Sequence, residues 1–194
     1  MKSVTLLERI QTLFGSMHNP SSRQLLTAIK QLDARLEDVT PFLKEPGNKP
    51  YGRQMFYQND HIEILVMQWS TYLDCAPHDH GQSYGWVQII AGSSDHWIYE
   101  ISPASLPLER LNRKEKSGSY LNVGKGMIHK MGSRGEEPLI TLHVYTPPIS
   151  GMKVYDLNKC AVCIVSEDCG AWWPEEQKQQ LKTVRLKGPW ENEP

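Results

Sequence analysis

The sequence predicts an all-β core, a small barrel or two-sheet sandwich of short strands, with helices packed against its outside. Three observations lead there. From Tyr51 to Tyr145 apolar residues recur with a period of two in short runs. Gly, Ser, Asn and Asp punctuate those runs, as Asn59 and Asp60 do between the first two. Ahead of them, two segments repeat apolar residues at helical spacing.

Leu6, Leu7, Ile10, Leu13 and Phe14 form the first helical pattern, with Gly15 as its stop. Leu25, Leu26, Ile29, Leu32 and Leu36 form the second, after Pro20 and the candidate caps Ser21 and Ser22. Both are amphipathic and too short to be stable alone, so they belong on the face of something larger. Strands follow over Arg53–Tyr57, Ile62–Trp69, Val87–Ile90, His96–Ile101, Ser119–Val123 and Leu139–Tyr145, and Pro147 with Pro148 ends the last. After Tyr155 the character changes. Cys160, Cys163 and Cys169 lead into Trp172, Trp173 and Pro174, then a polar, helical-looking run and a Gly- and Pro-rich end. Residues 1–155 are therefore read as one domain that includes the helices, and 156–194 as an extension packed on the barrel.

Bulk properties exclude several classes. A chain of 194 residues suits a single domain with an appended segment. A net charge of -1 without a basic block argues against a nucleic-acid partner. Glu8 and Arg9 interrupt the apolar run that a signal peptide needs. No uncharged stretch approaches the ~18 residues of a spanning helix. A cytoplasmic protein without a membrane partner is expected, with a monomer favoured. The four cysteines then read as thiols rather than disulfides. Cys160, Cys163 and Cys169 lack a fourth nearby ligand for zinc, and buried structural thiols are the expectation.

The chemistry concentrates between Pro77 and Gly92. His78 and His80 are one residue apart, so on an extended backbone both project from one face. Two such imidazoles suit Fe, Zn, Cu or Ni alike. A second stretch, Gly118–Ser133, brings His129 in the run Gly124-Lys125-Gly126-Met127-Ile128-His129. His18, His61 and His96 have no such context and are read as ordinary surface or loop residues. A His-x-His pair alone is a weak signal. The two stretches in this order resemble the two motifs of the cupin superfamily, a double-stranded β-helix or jelly roll. That resemblance implies a metal held by His78, His80 and His129. The chain departs from the general pattern in having Gly85 where a Glu ligand usually stands, Gly124 for Pro and Ser133 for Asn. An all-neutral ligand set leaves the charge of a dication uncompensated, which favours a substrate that brings its own negative charge, such as a thiolate.

Four further runs narrow the resemblance: Tyr51-Gly52-Arg53; Pro77-His78-Asp79-His80 with Ser83; Gly126-Met127-Ile128-His129; and Thr141-Leu142-His143-Val144-Tyr145-Thr146-Pro147-Pro148. In this order, with Lys44-Glu45-Pro46 ahead of them, they resemble the cysteine dioxygenase family in its bacterial form over roughly residues 1–155. The resemblance implies a mononuclear non-haem Fe(II) enzyme of cysteine catabolism. It would oxidise L-cysteine with O₂ to cysteine sulfinic acid, its partners being a small thiol and O₂. It assigns the substrate carboxylate to Arg53 with help from Tyr51, and catalytic roles to Thr141, His143 and Tyr145. Local physics agrees. Arg53 lies on an apolar-rich strand, and its planar fork matches a carboxylate. Thr141, His143 and Tyr145 alternate with Leu142 and Val144, so the three polar groups share a face. Thr141 stands for the family's usual Ser. Animal members carry, at the position of Gly85, a Cys cross-linked to the tyrosine matching Tyr145; Gly85 precludes that thioether. Mercaptopropionate dioxygenases resemble the chain too, but have Gln in place of Arg53. They, other small-thiol dioxygenases and a non-catalytic metal-binding cupin are the alternatives, and a sugar-phosphate isomerase normally keeps the Glu that is absent here.

Overall fold

The computed structural model describes residues 4–103 and 105–187. Helix α1 spans Leu6–Phe14 and α2 spans Ser22–Leu32, followed by the single turn α3, Leu36–Val39. Both long helices start with reciprocal caps. Thr5 Oγ1 accepts from the Glu8 N–H while the Glu8 carboxylate accepts from the Thr5 N–H, and Ser21 and Gln24 repeat the arrangement. Eleven strands follow among the described residues: β1 Tyr51–Gln58, β2 Glu63–Trp69, β3 Tyr84–Ala91, β4 Ser93–Glu100, β5 Leu108–Lys116, β6 Tyr120–Val123, β7 Ile128–Arg134, β8 Ile140–Thr146, β9 Lys153–Asp156, β10 Ala161–Val165 and β11 Gln180–Arg185.

A five-stranded antiparallel sheet runs in the order β1-β2-β8-β3-β6. Its central strand β8 is buried on both faces. Ile140, Leu142 and Val144 point outward and join Ile62, Ile64 and Val66 under Ile10, Phe14, Leu25, Ile29 and Leu32 of the helices. This is the outer packing that the helical patterns predict. Thr141, His143 and Tyr145 point to the opposite, inner face, beside Leu65, Met67, Val87 and Ile89. A slip of one residue in β8 would exchange the two sets, so the apolar face under the helices also fixes which way the polar residues point.

A three-stranded sheet, β5-β4-β7, and a second one, β11-β10-β9, complete the core. The segment carrying His78 and His80 lies between them as irregular backbone rather than a regular strand. His78 bridges to His129 of β7 on one side and to Val154 of β9 on the other. The expected extended backbone is thus present, but it is one bridge long.

The sequence pattern passes over β5, whose residues are nearly all exposed and mostly charged; as an edge strand paired only with β4, it has no buried apolar face to show. The helical-looking run after Trp173 contains one 3₁₀ turn, Gln177–Gln179, and then β11, which pairs with β10. Cross-strand pairing outweighs the helix-favouring composition there. The line drawn between residues 155 and 156 falls inside β9. All four cysteines are free, and no helix among the described residues is long and apolar enough to cross a membrane.

Phe14 is fully buried between α1 and the sheet. Phe14→Ala should cost about 3–5 kcal/mol, read as a lowered urea midpoint with an unchanged slope.

Candidate metal centre

His78, His80 and His129 each present a ring nitrogen, and the three atoms lie within 4.8 Å of one another. Backbone pairing brings them there. The His78 N–H donates to the His129 carbonyl and the His129 N–H to the His78 carbonyl, both at 2.9 Å. Asp79 faces away, and its Oδ1 accepts from the N–H groups of Gly81 and Lys153, both at 3.0 Å. Gly81 adopts φ +62°, and a Cβ there would collide with the Ser150 carbonyl.

A hydrogen bond behind the His78 ring defines its lone pair. His78 Nδ1 lies 2.8 Å from the Ala76 carbonyl, which can only accept, so the proton sits on Nδ1 and Nε2 is bare. His129 Nε2 and His80 Nδ1 are buried with no partner among the described residues. Unpartnered buried imidazole nitrogens are costly in an apolar core. Three neutral nitrogen donors brought this close together fit a divalent transition metal, which makes the cluster a candidate non-haem metal site.

The structure corrects the reading of His96 as an ordinary surface or loop residue. It is buried on β4, diagonal to His129 across the β4–β7 pair, and its Nε2 lies 2.8 Å from His129 Nδ1. An imidazole that accepts there holds the His129 proton on Nδ1 and leaves Nε2 free for a metal. Which strands pair is invisible in the sequence, so His96 carried no signal. Cys75, on the loop before His78, accepts from the Met131 N–H, and burial pushes its thiol up to about 12.

Thr141, His143 and Tyr145 form one hydrogen-bonded line. Thr141 Oγ1 lies 2.8 Å from His143 Nε2, and His143 Nδ1 lies 3.0 Å from the Tyr145 hydroxyl. Trp69, which sequence reasoning missed, sets the direction of this line. Its indole N–H can only donate, and it does so to Thr141 Oγ1 at 2.8 Å. The Thr141 hydroxyl proton then goes to His143 Nε2, since no other acceptor for it exists among the described residues. Desolvation keeps His143 neutral, with a pKa of about 3. Its single proton is therefore on Nδ1, donated to the Tyr145 oxygen, and the Tyr145 proton remains free. Burial also holds that phenol well above its ordinary pKa, and its ring stacks on His80 at 4.6 Å.

A cavity of about 350 Å³ opens onto the three histidines and is lined also by Tyr51, Arg53, Glu63, His143 and Tyr145. Arg53 is held from behind by the carbonyls of Glu167, at 2.7 Å, and Cys169, at 3.4 Å. The Tyr51 hydroxyl accepts from the Ala171 N–H at 2.7 Å. The residue missed here is Glu63, a buried carboxylate in the same wall.

His96→Phe should weaken metal binding by about 10–100-fold, whereas His96→Gln, whose amide oxygen also accepts, should keep most of the affinity; chelator competition with metal analysis reads both. The buried imidazoles also set a pH dependence for the metal-free protein. Desolvation lowers His78 and His96 to about 4 and His143 to about 3. The unfolded chain takes up these protons near pH ~6.5, so between that pH and about 3–4 it binds more protons than the folded chain. Stability should be fully present above ~6.5 and fall by up to ~1.4 kcal/mol per pH unit per histidine below it. Urea midpoints that stay flat from pH 7 to pH 5 would contradict this.

Comparison with known proteins agrees with the geometry. The family described as "Cysteine dioxygenase type I" matches residues 47–158, more than half of the chain. "Cysteine dioxygenase type 1" of Danio rerio is 21% identical over 164 residues, covering 80% of this chain and 81% of its own. The protein of the same name from Rattus norvegicus is 22% identical over 111 residues, covering 55% of this chain and 56% of its own. Among solved structures, a conserved Klebsiella pneumoniae protein with a double-stranded β-helix domain superposes with a TM-score of 0.51 at 18% identity, covering 62% of this chain and 90% of its own. That likeness shows the cupin jelly-roll fold. By the match over its central residues, with its site carried on that fold, the chain belongs to the cysteine dioxygenase type I family.

Proposed function

We propose that the protein is a thiol dioxygenase that oxidises L-cysteine with O₂ to cysteine sulfinic acid, using Fe(II) held by His78, His80 and His129. One observation carries this reading: three neutral imidazoles open onto the same cavity as Arg53, Tyr51 and Tyr145. The reaction is R–SH + O₂ → R–SO₂H, so both oxygen atoms end on sulfur and no separate reductant is consumed. Fe(II), when bound, would lower the pKa of the thiol and bring sulfur and dioxygen together.

The chain's own groups supply the rest. Two guanidinium N–H groups of Arg53 are taken by carbonyls of the 156–194 extension, which aims its remaining donors at a substrate carboxylate. Tyr51 receives its hydrogen bond from Ala171, so its own hydroxyl proton is free for the same carboxylate. Tyr145 presents the free proton of the Trp69-Thr141-His143 line to the reacting thiol or oxygen. Residues 1–155 act as the catalytic unit, and the extension anchors its substrate arginine. In this reading the protein acts as a monomer in the cytoplasm, in a step of cysteine catabolism.

Fe(II)-loaded protein given L-cysteine should consume O₂ and yield a product about 32 Da heavier; no uptake with full iron loading would overturn the reading. Arg53→Ala should raise the KM for L-cysteine by about 10–100-fold with iron content unchanged. Unaltered cysteine kinetics in that variant would remove Arg53 from the binding role.

A further inference from the structure

Glu63 has no part in the reading above, yet it lies in the wall of the same cavity. It sits on β2 directly opposite Tyr145, so the two side chains share the inner face. Two acidic side chains line the cavity among the described residues; Glu167 is exposed, whereas Glu63 is 6% exposed. Its Oε2 accepts from the Ile149 N–H at 2.7 Å. Its Oε1 has no hydrogen-bond partner and no paired cation among the described residues.

The reaction proposed above leaves a proton to place. Sulfur enters as a thiol, protonated at neutral pH with an ordinary pKa of ~8.5, and leaves as a sulfinate without that proton. In a buried cavity the proton needs an acceptor within hydrogen-bond reach or one water away. The other polar groups of the wall are committed. His143 Nε2 receives the Thr141 proton, and its Nδ1 donates to Tyr145. Tyr51 and Tyr145 present hydroxyl protons and so donate. Arg53 is a cation held by two carbonyls, and burial pushes the Cys169 thiol up to about 11. His78, His80 and His129 keep their free nitrogens for a metal. Glu63 Oε1 is the acceptor left over. Gln58 on β1 and Tyr145 on β8 stand opposite it, the loop 147–152 that it touches carries no titratable group, and Arg53 and Glu167 supply the charges that act on it. Burial raises its pKa against the Ile149 N–H and the field of Arg53, which makes it a stronger base than a surface carboxylate.

We propose that Glu63 is a catalytic base whose Oε1 takes the proton of the substrate thiol, directly or through one water. The step is R–SH + Glu63–COO⁻ → R–S⁻ + Glu63–COOH. The S–H bond breaks, its electron pair stays on sulfur, and an O–H bond forms. The carboxyl passes the proton to solvent when the product leaves, so the whole reaction is R–SH + O₂ → R–SO₂⁻ + H⁺. The inference rests on the dioxygenase reading for the identity of the substrate as a thiol, and asks nothing of the substrate's amine or carboxylate.

Glu63→Gln keeps an oxygen for the Ile149 N–H and removes only the base. Anaerobic calorimetry of Fe(II)-loaded protein in buffers of different ionisation enthalpy counts the protons released when L-cysteine binds. At pH 7 Glu63→Gln should release up to about one proton more than the wild type, because no carboxylate retains it. S-Methyl-L-cysteine has the same amine and carboxylate but no thiol proton, and with it the two proteins should release equal numbers. In turnover Glu63→Gln should lose about 100-fold in kcat at pH 7 with little change in KM. It should regain most of that near pH ~9, where L-cysteine arrives as its thiolate. Equal release by both proteins with L-cysteine, a difference that persists with S-methyl-L-cysteine, or a kcat loss of the same size at both pH values overturns the proposal. If the wild type consumes no O₂ with L-cysteine, the dioxygenase reading fails, while the proton counts still decide the role of Glu63.

Discussion

The centre depends on two backbone hydrogen bonds between His78 and His129, residues far apart in the chain. Each peptide donates to the other, as in a hydrogen-bonded pair of an antiparallel ladder, and the two ring centroids lie 4.6 Å apart. His80 then needs only the two-residue repeat of extended backbone to join them. The bridge to Val154 and the bond from Asp79 N–H to the Lys153 carbonyl hold the other side of the segment. Irregular backbone is thus clamped between two sheets, with its polar groups satisfied on both flanks. Such clamping gives the rings positions that a free loop could not hold.

β8 solves a different problem with the same period of two. Its outward residues bind the helices and its inward residues carry the hydrogen-bonded line, so the site's orientation is secured by apolar packing on the far face of the sheet. A polar triad in a core is stable only when each member is satisfied. Trp69 completes it by giving Thr141 a donor, which sends every later proton one way and ends with a free hydroxyl at Tyr145. The chain order of the line therefore encodes a chemical direction, with the donor-only indole at one end and the cavity at the other.

How legible this was in the sequence follows from which signals are local. The three clustered histidines, the alternation Thr141-His143-Tyr145 and the arginine strand were readable because each lies within a short motif with a defined period. The helices were readable for the same reason, since their apolar stripes repeat at 3.6 residues. His96, Trp69 and Glu63 were not. Each acquires its place through a neighbour on another strand: His96 across β4–β7, Trp69 and Glu63 across β2–β8. β5 was silent because an exposed edge strand has no buried face to impose alternation. The polar run before β11 resembled a helix by composition, and its true state is decided by β10 beside it.

Gly85 ties these levels together. It lies opposite Tyr145 in the β3–β8 pair, and a Cβ at this position would meet the Val144 carbonyl and come within 2.9 Å of the Tyr145 ring. The strands have closed over the space that a side chain would need. A cysteine able to cross-link Tyr145 is therefore excluded by the approach of the backbone as well as by the residue present. Tyr145 is positioned instead by non-covalent means: the His143 hydrogen bond at its hydroxyl, the His80 ring on its face, and the tight β3 backbone at its edge. Three contacts from three elements restrain the ring in different directions, which lets an unmodified phenol keep one orientation over the histidines.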